Sequence, residues 1–170
     1  MKQSSSSWTA HSMYEYPRRK LNKAHGSFDD KPANQNPASR SKPIRILIYL
    51  WVMPTSAVAT PLILLNLISG GQTYTDKGVM EVEGRLVSWF LRRRLVSAAA
   101  ITFGHIILYA DSQARETYRA HEMVHVEQAE RWGPFFLPCY LAIALLQWCR
   151  SGRGYWDHPW EVEARNRAGI

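Results

Sequence analysis

ITFGHIILYADSQARETYRAHEMVHVEQAERWGP, residues 101–134, is the stretch that decides how this chain folds. Its first part is rich in β-branched and aromatic residues and reads as a strand over residues 100–109. Asp111 and Ser112 follow, with the short side-chain oxygens that accept from the unpaired amides of a helix start. From Gln113 to Trp132 there is no Gly or Pro, and Gly133-Pro134 supplies a stop, so the spacing predicts one helix of about five turns. Ala114, Tyr118, His121, His125 and Trp132 fall near one face of it, while Arg115, Arg119, Glu130 and Arg131 fall mostly on others.

Upstream, in GVMEVEGRLVSWF (78–90), Val79, Glu81 and Glu83 alternate with Met80, Val82 and Leu86, which predicts strands with a turn or bulge at Gly84. Downstream, FFLPCYLAIALLQWC (135–149) is short for a membrane span and contains Pro138, so it reads as a core or interfacial helix. Cys139 and Cys149 lie within it as expected buried thiols, with no CxxC or Cys/His cluster. SGRGYWDHP (151–159) reads as a loop, and WEVEARNRA (160–168) as a short helix entered through Pro159. The expected fold class is α+β, with short antiparallel β elements, the long helix and C-terminal helices in a domain over residues 72–170.

Two other segments precede that domain. Residues 1–43 are rich in Ser, Asn, Pro and Lys and lack an apolar repeat, so they read as a disordered basic tail. The tail holds 8 Lys and Arg against 3 Asp and Glu, and so accounts for most of the chain's formal charge of +7. It lacks the interleaved aromatics of a single-strand binding platform, which argues against nucleic acid and for a solvated arm near a membrane. Its polarity also argues against a cleavable export signal.

Residues 44–69 form an apolar, membrane-associated segment, long enough to cross a bilayer. Pro54 and Pro61 each remove a helical hydrogen bond, which makes it either one kinked span or two short helices; a buried helical pair is the alternative. Basic residues lie on both sides of it, before it and at Lys77, Arg85 and Arg92–Arg94, so charge fixes no orientation.

Within the long helix, His121-Glu122-Met123-Val124-His125 is the pattern that carries chemistry. Residues four apart stack on one helix face, so His121 and His125 present two imidazole nitrogens to one tetrahedral ion. Glu122 projects about 100° round the axis, beside the ion's open position, where a carboxylate can take a proton from water and return it to a leaving amine. Zinc supplies the remainder by lowering the pKa of a water to about 7 and polarising a carbonyl.

The strand-then-HExxH-helix order, with PWEVEA downstream, resembles the gluzincin pattern of the zincin metallopeptidases over residues 98–168. The extended metzincin motif does not fit, because its glycine position is Gln128 and its third-histidine position is Arg131. The resemblance implies a third ligand Glu opening an ExxA stretch, which makes Glu161 the first choice and Glu163 the second; Asp157 and His158 are further alternatives. Some gluzincins carry an Asp four residues after the ligand Glu, where this chain has Arg165, so the group that orients the histidines is left open.

Tyr155 and His158 are candidate oxyanion donors. The strand containing His105 would align an extended substrate by β-augmentation, with His105 itself reading as a packed histidine. Glu127 and Glu130 read as solvent-facing, and the tryptophans as core or interface anchors.

The expected function is therefore a zinc-dependent metallopeptidase acting on a peptide or protein substrate beside a membrane. The alternative is a membrane-tethered module that keeps zinc for structure or partner binding, without turnover.

Overall fold

In the computed structural model, residues 41–93, 96–152 and 154–170 are described; the tail reading therefore lies outside the described residues, apart from 41–43. Lys42 and Pro43 already belong to the first helix, α1 (Lys42–Ala57), which Pro43 enters at a position where its missing N–H costs nothing. A second helix, α2 (Thr60–Ile68), starts with Pro61 in its first turn and is bent 73° from α1. The apolar segment is thus two helices. A stripe through Ile48, Val52, Thr55, Ser56 and Ala59 faces inward, while Leu47, Leu50, Met53 and Leu64 remain exposed.

Four strands follow: β1 (Gln72–Asp76), β2 (Val79–Glu83), β3 (Ala100–Phe103) and β4 (Ile106–Tyr109), in the sheet order β1-β2-β4-β3. The sheet is mixed, not antiparallel throughout as the sequence suggests. β1–β2 and β3–β4 are antiparallel hairpins, but the central pair β2–β4 is parallel.

The first hairpin turns at Lys77-Gly78, both with positive φ, the geometry that matches strand twist in a two-residue loop. The stretch 100–109, read as one strand, is instead a hairpin turning at Gly104-His105, with Gly104 at φ 62°. RLVSWFL, read as strand, is helix α3 (Arg85–Leu91): Val87 and Leu91, four apart, are both buried, the helical rather than the alternating period.

The remaining elements are α4 (Ser112–Trp132), a 3₁₀ turn (Gly133–Phe135), α5 (Phe136–Ser151) and α6 (Pro159–Ala168). The sheet lies between helices. Val82, Leu108 and Ala110 pack with Ala59, Ile63, Val87 and Leu91 on one face; Val79, Ile107 and Tyr109 pack with Val126 of α4 on the other.

α1 is docked into the same body: Thr55 Oγ1 donates to the Gly133 carbonyl at 2.8 Å, Ser56 Oγ accepts from the His105 amide at 3.0 Å, and Val52 packs with Ala129 and Phe136. Residues 44–69 are therefore a structural part of the domain as well as its apolar exterior. Cys149, expected to be buried, is exposed, and Cys139 is half-buried.

Glu81 of β2 is 1% exposed and fastens the sheet to the site helix. Its carboxylate accepts from Arg115 at 2.8 Å and Arg119 at 2.7 Å, and Arg119 also reaches Asp76 at 2.6 Å. Losing one member of a fully buried pair costs about 3–5 kcal/mol, but both arginines are about a third exposed and can regain water. Glu81→Leu is accordingly expected to cost roughly 2 kcal/mol, read as a lower urea midpoint at unchanged slope.

Candidate metal centre

Two helices bring the site together. α4 begins at Asp111, whose Oδ1 accepts from the Ala114 amide at 2.8 Å, and carries the histidines 9 and 13 residues on from Ser112, well inside the helix. α6 begins at His158, which accepts from the Trp160 amide, and places Glu161 in its first turn, where the helix dipole favours a carboxylate. The two helices pack together and bury His121, His125 and Glu161 to 3%, 5% and 3% exposure.

The geometry is that of a shared centre. His121 Nε2 and His125 Nε2 are 3.1 Å apart; His121 Nε2 is 3.2 Å from Glu161 Oε2, and His125 Nε2 is 3.1 Å from Glu161 Oε1. Three donor atoms this close together could share one metal ion.

Glu161 Oε2 lies in the centre with no partner beyond its contact with His121 Nε2, whereas His121 Nδ1, on the opposite side of its ring from the centre, is buried without a hydrogen-bond partner. Among the described residues, His121, His125 and Glu161 are the group of three or more metal-ligating side chains so placed.

The charges are mutually adjusted. Burial alone would raise the Glu161 carboxyl, but hydrogen bonds from His121 and His125 hold it well below the usual carboxylate range. Burial alone would lower the His125 imidazole, but Glu161 and Glu122 push it up to about 9. Glu122, 5% exposed, is raised by burial against the opposing pull of His125, His121 and a hydrogen bond from Thr102. That bond, Thr102 Oγ1 to Glu122 Oε2 at 2.7 Å, fixes the Glu122 carboxylate against β3.

The other predicted candidates are placed elsewhere. Glu163 stands one layer out, accepting from Gln128 Nε2 at 3.0 Å and pairing with Arg167. His158 has both ring nitrogens engaged, Nε2 to the Tyr140 carbonyl at 3.2 Å and Nδ1 from the Trp160 amide, and burial pushes its imidazole down. Asp157 accepts from Ser151 Oγ at 2.7 Å. Tyr155 is exposed and lies edge-on to Trp156.

Arg165, at the position of the gluzincin Asp, donates to the Trp156 carbonyl and lies 4.0 Å from Glu161. His105 is in the β3–β4 turn, packed on Tyr49 and paired with Glu130 at 3.2 Å; Glu130 is therefore mostly covered, not solvent-facing, whereas Glu127 is exposed and pairs with Arg167.

Three contributors had no clear signal in the sequence. Tyr140 donates to Glu161 Oε1 at 2.7 Å and stacks on His158, yet it stands in an otherwise apolar run. Thr102 is an ordinary strand residue until β3 is set beside α4. Gln128 accepts from His125 Nδ1 at 2.8 Å, and its three-residue spacing from His125 on a helix was the one available clue. No known protein family, curated protein or solved structure matches the chain.

Proposed function

We propose that this chain is a membrane-associated, zinc-dependent metallopeptidase of zincin type. The observation that carries the reading is the convergence of His121 Nε2, His125 Nε2 and Glu161 at 3.1–3.2 Å, with Glu122 alongside. A bound zinc would act as a Lewis acid, acidifying a water and polarising a peptide carbonyl.

The protein's own residues do the rest. Glu122, outside the ligand group, takes the proton from the attacking water and passes it to the leaving amine, and Thr102 holds the carboxylate in place for this. β3 is one of the two edge strands of the sheet and the one whose Thr102 touches Glu122, and an extended peptide adding along it is the substrate alignment this reading implies. The engagement of both His158 nitrogens favours a catalytic centre over a closed structural one, since the nearest further histidine is not free to fill a fourth position.

Membrane association rests on the exterior. The continuous helical run Ser112–Ser151 is long and apolar enough to cross a membrane, and the bent pair α1 and α2 is so as well when taken together. Leu141, Leu145, Leu146 and Trp148 of α5 are exposed, and Trp51 of α1 meets Phe135 at the start of that helix, so the two apolar surfaces adjoin. Exposed apolar surface of this extent marks a lipid or protein contact rather than a water-facing one.

The test is elemental analysis of full-length protein purified without added metal. One zinc per chain, removable by a chelator, is expected; a folded protein that binds no zinc when it is supplied overturns the proposal.

A further inference from the structure

Gln128 is 2% exposed and three residues beyond His125 on α4, so its amide must be fully partnered or costly. Its Nε2 sits 3.2 Å from the Trp160 carbonyl and 3.0 Å from Glu163 Oε2, and its Oε1 sits 2.8 Å from His125 Nδ1. A carbonyl and a carboxylate can only accept, so the NH₂ end of the amide belongs at Trp160 and Glu163. The oxygen is then left facing His125, and an oxygen can only accept from that ring nitrogen. It follows that His125 carries a proton on Nδ1 and, in its neutral form, keeps the Nε2 lone pair for the centre it shares with His121 and Glu161.

We infer that Gln128 is a positioning residue that sets the tautomer and ring orientation of His125, and that Glu163 acts through it rather than as a ligand. The inference rests on the metal-centre reading for its functional meaning, but the tautomer is a property of the metal-free chain. The position at which the metzincin motif needs a glycine therefore does work in this chain as a hydrogen-bond acceptor. It takes up for His125 the orienting task for which Arg165, a cation, is unsuited. His121 Nδ1 has no such partner, so the two histidines are not equivalent.

The experiment has two readouts. Nitrogen NMR of the imidazoles in metal-free wild-type protein, at a pH high enough for the ring to be neutral, is expected to show the His125 proton on Nδ1. Zinc affinity at pH 7, by chelator competition, is expected to fall roughly 10–100-fold in Gln128→Leu. In Gln128→Leu the nitrogen spectrum is expected to lose the Nδ1 preference, since the oxygen that accepts from that nitrogen is gone. A mere packing role would leave the tautomer of His125 unchanged.

A His125 proton on Nε2 in wild type overturns the inference whether or not zinc binds, and this readout survives if Gln128→Leu fails to fold. A folded Gln128→Leu with affinity within twofold of wild type overturns it as well. Absence of zinc binding in wild type, with the Nδ1 proton present, would instead remove the metallopeptidase proposal and leave the tautomer assignment standing.

Discussion

Glu122→Gln is expected to lower peptide hydrolysis by a factor on the order of 10³ while leaving one zinc per chain. The substitution preserves shape, and the amide oxygen can still accept the hydrogen bond that Thr102 Oγ1 now gives the carboxylate, so α4 and its contact with β3 should be unchanged. The ligand group is His121, His125 and Glu161, and removing the charge at 122 takes nothing from it. What is lost is the capacity to accept and return a proton beside the reacting carbonyl. Turnover of an unstructured peptide by protein reconstituted in lipid, measured with the metal content of the same samples, checks both halves. Equal activity in the variant would remove Glu122 from the chemistry. Zinc-loaded wild type without turnover on any peptide would favour the non-catalytic module, for which the depth of burial of the three ligands is the supporting observation.

The parts of this architecture legible in the sequence are those fixed by local rules. Asp111, the Gly133-Pro134 stop and the unbroken run between them specify α4 almost to the residue, and its helical spacing brings His121 and His125 together without reference to the rest of the chain. Glu161 was reachable only through the ExxA stretch at residues 161–164 that the gluzincin resemblance implies, since a carboxylate in the first turn of a helix is by itself equally a solvated one.

The errors fall where a local pattern has two readings or none. A run of β-branched and aromatic residues hid the two-residue turn at Gly104-His105, since a lone glycine in a strand also marks a bulge. RLVSWFL is too short to separate the helical period from alternation. The parallel pairing of β2 with β4 depends on contacts across α3 and β3, which no window on the sequence contains.

The apolar segment shows the same limit from the other side. Composition alone marks residues 44–69 as membrane-seeking, and the exposed Leu47, Leu50, Met53 and Leu64 agree with it. Composition could not show that the inward stripe of α1 caps the end of α4 through Thr55 and Gly133. The helix that anchors the site helix is also the helix that offers an apolar surface, so that surface and the site's rigidity are properties of one element.

Glu161→Ala is expected to weaken zinc binding on the order of 10²–10³-fold, since the 10–16 kcal/mol of a typical four-ligand zinc site amounts to about 2.5–4 kcal/mol for each ligand. Glu161 is the residue whose two oxygens face both histidine nitrogens, at 3.1 and 3.2 Å. Its removal also exposes the centre to the Arg165 guanidinium, 4.0 Å from Glu161 Oε2, a cation next to a cation. Glu163→Ala should behave differently: that carboxylate touches Gln128 and Arg167, one hydrogen bond removed from His125, and its loss is expected to weaken binding by less than about tenfold. Chelator competition on the two variants beside wild type, with far-UV circular dichroism to confirm that α4 and α6 are intact, separates the two. A loss at Glu163 as large as that at Glu161 would mean that α6 presents its carboxylates in a different rotation from the one described, and the third ligand would have to be reassigned.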